Sequence, residues 1–184
     1  MPMPAPDPVF VLAVRLAMAG VFLTGGLHQW RDRAMFAAVV EGYALLPRAL
    51  VTPIALGLPL VEIATGLMLL WPTTGTAGAL AGLIILCAVS LAVVINLLRG
   101  RRDIDCGCGG ASGDQTLSWP LVGRNAVLGC LLAIGALKAA PRALAAPDVT
   151  VALFAGLAAL GLYAASNQLL ANAPRLRALR DGLA

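Results

Sequence analysis

Charge is scarce in this sequence. Only 12% of its 184 residues are Asp, Glu, Lys or Arg, against 60% that are hydrophobic. No soluble domain of this length has an interior large enough to bury that much apolar surface, so the solvent for most of the chain must be lipid. Histidine occurs once, as His28. With it, the short loop that carries two of the four cysteines falls short of the four ligands a structural zinc site needs. Aromatic residues make up 5% and do not interleave with basic ones, which excludes a nucleic-acid interface. There is no internal repeat, no low-complexity segment and no polar stretch long enough for a soluble domain. Residues 1–184 therefore read as a single transmembrane domain.

The apolar runs give the architecture. Spans fall at about 9–27, 50–71, 76–98, 120–137 and 149–170, each long enough to cross a hydrocarbon core. The start lacks the basic residues and small-residue cleavage site of a signal peptide, so the first run reads as a span. Pro120 suits a helix start, whereas Pro59 inside the second span predicts a kink and a freed carbonyl. Between the first two spans, Met35, Phe36, Val39, Val40 and Tyr43 recur at helical spacing. They predict a short amphipathic helix in the interface, ended by Pro47, or else a packed connector. The fold class is thus all-α: an integral membrane protein, a five-transmembrane-helix bundle with a short interfacial helix.

Chemistry concentrates in the loop at 99–119. There Asp103-Ile104-Asp105-Cys106-Gly107-Cys108-Gly109-Gly110 follows Arg99, Arg101 and Arg102. Thiolate is the reactive form of cysteine and nearby cations favour it, while Asp103 and Asp105 oppose it. The glycines supply the backbone freedom that a tight Cys-x-Cys ring needs, and strained disulfides exchange readily. Cys106 and Cys108 therefore read as a redox dithiol on a flexible loop, a candidate membrane thiol–disulfide oxidoreductase. Two alternatives stand beside it. The pair could carry a soft cation such as Cu(I) or Hg(II), with Cys87 and Cys130 as a second stop, or the protein could be a scaffold without chemistry. His28, Asn96, Arg99, Arg124 and Asn125 all fall near the same end of their spans and converge on the cysteines, His28 as a candidate proton acceptor.

Arg15 and Glu62 are charges inside spans, which need a reason. Counted from the cysteine side, both lie roughly 18 Å in by the helical rise, which predicts an ion pair. Otherwise they mark a polar pocket, with Asn96 and Arg99, for a quinone, an ion or a proton. Nine of the 13 basic residues lie in the 28–49 connector, the cysteine loop and the tail, and only Lys138 and Arg142 lie in loops of the opposite side. Positive loops stay cytoplasmic. The expectation is a bacterial inner-membrane protein with a periplasmic N-terminus and a cytoplasmic Cys-x-Cys loop.

Several stretches together resemble the methylamine utilisation protein MauE family, itself related to DoxX-like membrane proteins. They are Tyr43-Ala44-Leu45-Leu46-Pro47, Leu58-Pro59 with Glu62 and Gly66, Asn96-Leu97-Leu98-Arg99-Gly100-Arg101, Asp105-Cys106-Gly107-Cys108, and Arg124-Asn125. The resemblance covers about 9–137 and implies a DoxX-like four-helix core plus one extra span. This chain has Gly109 where the family usually has Phe, and Gln29 where a basic residue is common. What the resemblance implies is a helper in maturing a periplasmic client, methylamine dehydrogenase, whose small subunit is rich in disulfides. A thioredoxin-like MauD-type partner is implied with it, and a quinone is a candidate cofactor.

Overall fold

A computed structural model describes residues 5–107 and 115–181, with side chains described as far as Asn172. Among the described residues every regular element is a helix: α1 (Pro8–Arg31), α2 (Arg33–Gly42), α3 (Arg48–Leu70), α4 (Gly75–Leu98), α5 (Trp119–Ala136) and α6 (Ala146–Asp181). All but α2 are long and apolar enough to cross a membrane, α6 over Ala146–Asn172. The fold is a multi-pass membrane bundle, as the apolar runs predict.

Local chemistry sets the helix ends. Asp7 caps α1 by accepting from the Val9 amide at 2.8 Å, and Pro8 takes a first-turn position where no donor is missed. Asp32 ends α1 and also starts α2, its side chain accepting from the Met35 amide at 3.1 Å. α1 therefore runs about one turn beyond the predicted span. Both Pro53 and Pro59 lie inside α3, which continues through them.

α1 is the central post, with α3, α5 and α6 packed around it, and α4 reaches it mainly through α3 and α5. Without a hydrophobic force between helices in lipid, close contact depends on small residues. Gly26 supplies it on the α3 side, where an added Cβ would stand 2.8 Å from the Pro59 carbonyl oxygen, and Gly156 of α6 lies against Ala13 and Leu16. The core gathers Met18, Phe22, Leu69, Ala79 and Leu132, whereas Ile84, Phe154, Leu162 and Leu169 point outward and are exposed. At the end far from the cysteines, Arg142 ties the starts of α1 and α6, with Asp148 at 2.9 Å and Asp7 at 3.4 Å.

α2 packs on α3 as a connector and is amphipathic. Phe36 is buried and Tyr43, at the helix end, is 9% exposed, but Met35 is 50% exposed. One edge of the helix packs inward and the rest faces out.

Candidate functional site

The loop between α4 and α5 is pinned rather than loose on both sides of the segment 108–114. Asp105 and Thr116 form an antiparallel bridge. The Cys106 amide donates to the Gln115 carbonyl at 2.8 Å, and the Leu117 amide to the Ile104 carbonyl at 3.1 Å. Cys106 is 4% exposed and packs with Tyr43, Val93, Leu97, Leu117 and Leu121. It is disulfide-bonded, whereas Cys87 and Cys130 are free and exposed. Cys108, Gly109 and Gly110 lie outside the described residues.

α2 covers this loop. The Tyr43 hydroxyl donates to the Cys106 carbonyl at 3.2 Å. Gly107 turns at φ +69°, and an added Cβ there would stand 2.7 Å from Val39 Cγ1. Arg101 completes the clasp, donating to the Tyr43 carbonyl at 3.2 Å and to Asn96 Oδ1 at 3.3 Å. Asn96, fully buried, thus positions the loop. Ala44, the next residue after Tyr43, holds the left-handed conformation at φ 49°. A non-glycine residue there carries a strain of about 1–2 kcal/mol, which the clasp around Tyr43 must hold.

Arg124 and Asn125 belong to a separate site, one helical turn further along α5 than Leu121. Asn125 Oδ1 accepts from Arg124 Nη2 at 3.0 Å and Nε at 3.3 Å, and Asn125 Nδ2 donates to Ser90 Oγ at 3.1 Å. The Arg124 guanidinium also donates to Asn167 of α6 and lies 5.4 Å from the centre of the Tyr163 ring. Arg124, Asn125 and Tyr163 line a cavity of about 70 Å³ together with Gln29 and Glu62. Val89 of α4 lines it too, one turn from the Val93 that touches Cys106. The cavity therefore lies ~6 Å deeper in the bundle than the cysteine, by the helical rise.

The expected ion pair is not made. Arg15 donates through Nε to the Gly135 carbonyl at 2.8 Å and through Nη2 to Thr76 Oγ1 at 2.9 Å. It ties α1 to α4 and α5 near the opposite end of the bundle. Glu62 lies beside Gly25, whose added Cβ would be 3.6 Å from Glu62 Oε2, and it shares a cavity lining with Gln29. Arg15 is therefore about three turns, ~15 Å, along α1 from Gly25, the residue beside Glu62. Counting from span starts fails because α3 does not begin level with the end of α1. α3 also packs on α2.

His28 and Arg99 are exposed and line neither site. Gln29, the neighbour of His28, is the buried residue at 7% exposure. The sequence signal for it is a polar side chain just past the first apolar run, where the resembled family commonly has a basic residue. Among the described residues no group of three or more His, Cys, Asp or Glu gathers to hold a metal.

The family profile of Methylamine utilisation protein MauE matches residues 7–138. The Methylamine utilization protein MauE of Methylorubrum extorquens is 38% identical over 163 residues, covering 87% of each chain. That of Paracoccus versutus is 34% identical over 164 residues, covering 89% of this chain and 88% of the relative, and that of Paracoccus denitrificans is 34% identical over 166 residues, with 89% and 88% covered. No solved structure matches.

Proposed function

The chain belongs to the MauE family, and on that premise we propose that it serves methylamine utilisation as a membrane thiol–disulfide relay. In this reading Cys106 and Cys108 exchange with a thioredoxin-like partner of the MauD type and so assist the maturation of a disulfide-rich periplasmic enzyme, methylamine dehydrogenase in the family case. The observation that carries it is the disulfide-bonded Cys106, held at the mouth of the bundle by Tyr43, Asn96 and Arg101. Such a clasp fixes a reactive group, whereas a scaffold has no need of it.

The chemistry balances within the exchange. One thiolate attacks a disulfide, and a mixed disulfide forms as the leaving thiolate takes up a proton. The second thiol then resolves the intermediate. Two electrons and two protons pass from dithiol to disulfide, and no further oxidant enters. Cys106 is too buried for a partner sulfur to reach without displacing Tyr43 and α2. We therefore assign Cys106 the resolving role and Cys108 the contact with the partner.

Trapping tests this. A Cys106→Ser variant should accumulate a mixed disulfide with its partner through Cys108, and Cys108→Ser should trap far less. Both should lose function with membrane insertion retained, because insertion is set by the apolar spans, which neither change touches. Cys87→Ala and Cys130→Ala should be nearly silent. Full activity in the Cys106→Ser, Cys108→Ser double variant would end the redox reading.

A further inference from the structure

Beyond that reading, and independent of it, we propose that the cavity between Glu62 and Arg124 is a hydrated proton-binding site. In it Glu62 takes up and releases a proton through water held by Gln29 and the Arg124–Asn125 pair. A carboxylate inside a lipid-covered bundle is costly unless neutralised or hydrated. Glu62 is 8% exposed, and the ion pairs among the described residues all lie elsewhere, at Arg48 and Arg142. Its immediate neighbour, Gln29, is uncharged. Gln29 and Glu62 line the same cavity, and Gln29 Oε1 is buried with no partner among the described residues. A buried amide oxygen in that position calls for a donor.

The space and the partners for water are both present. A cavity of about 70 Å³ exceeds the roughly 30 Å³ that one water occupies in the liquid, and a bound water needs two to four polar partners. Gln29 and Glu62 supply acceptors from one wall. Arg124 lines the same cavity, with guanidinium hydrogens left over after Asn125 and Asn167 are served. Among the described lining residues the titratable or charged groups are Glu62 of α3, Arg124 of α5 and Tyr163 of α6, while α1 and α4 contribute uncharged side chains. Of the charged residues on α2, which also packs on α3, Glu41 pairs with Arg48 at 3.7 Å and Arg33 lies over Trp30.

This arrangement makes both forms of Glu62 tolerable. The neutral carboxyl suits the apolar walls. The anion has cavity water for hydration, and Arg124, which lines the same cavity, makes no salt bridge with it. In the exchange step the carboxyl O–H bond breaks, a bond to a cavity water forms, and the reverse reloads the site.

The sequence makes the test clean, because Glu41 and Glu62 are its only glutamates. With ¹³C-carboxyl-labelled glutamate in the full chain, embedded in phosphatidylcholine bilayers, solid-state NMR should show two carboxyl signals, assigned by Glu41→Gln. The Glu62 signal should titrate separately from that of the exposed Glu41 and should exchange magnetisation with water. Gln29→Leu, which removes a polar partner of the cavity water, should weaken that magnetisation exchange. A Glu62 signal that stays in one form over the whole pH range of the folded protein would overturn the proposal. So would one without water contact.

Discussion

At Gly107 the positive φ and the contact with Val39 both depend on the missing side chain. Gly107→Ala should therefore cost about 1–2 kcal/mol for the left-handed conformation alone and push the loop off α2, raising the labelling rate of reduced Cys106. Tyr43 makes a second prediction. Burial first, and the Asp105 carboxylate second, raise its hydroxyl from 10.0 to about 12. The raised value means that its stabilising bond to Cys106 is fully present below about pH 10 and is lost as pH rises through about 12. Of the two tyrosines, Tyr43 should ionise late in an ultraviolet titration. Tyr43→Phe should remove that late phase and cost roughly 0.5–1.5 kcal/mol, the worth of one hydrogen bond. The cysteines themselves were legible in the sequence, since a polar island in an apolar chain stands out. The clasp was not, because Tyr43 and Cys106 meet only when α2 folds back over the loop.

Between elements, register decides which polar groups meet. Arg15 holds the C-terminal end of α5 and the first turn of α4, so Arg15→Leu should lower thermal stability in detergent by ~1.5–3 kcal/mol for each charged hydrogen bond lost. Glu62 is too distant to share that effect. The Arg15→Leu, Glu62→Gln double variant should show the sum of the two single effects within roughly 0.5 kcal/mol. A milder double variant would restore the ion pair that span counting predicts. The two charges were visible in the sequence as residues in need of a reason. The partner of each was hidden, because span lengths do not report how far one helix slides past the next.

For the molecule as a whole, the distribution of arginines predicts which side of the membrane the clasp faces. The arginine bias favours a cytoplasmic loop. In a Cys87→Ala, Cys130→Ala background, a membrane-impermeant maleimide should then fail to label reduced Cys108 in spheroplasts and should label it after lysis. Labelling from outside at full rate would place the loop with a periplasmic client and leave the exchange chemistry intact. A cytoplasmic loop instead requires a further carrier between this protein and that client.

The sequence alone determined that the chain is a multi-pass helical membrane protein, where its two-cysteine loop falls and, through dispersed motifs, its family. These follow from composition and local pattern, since apolar runs of sufficient length have no other stable place. Only the tertiary structure divided the polar residues. Asn96 and Arg101 went to the cysteine clasp, Glu62 and Gln29 came to line one cavity with Arg124 and Asn125, Arg15 went to the far end, and His28 and Arg99 went to the surface. That division depends on the rotation and sliding of whole helices, set by close contacts such as Gly26 on Pro59, and no single helix encodes it.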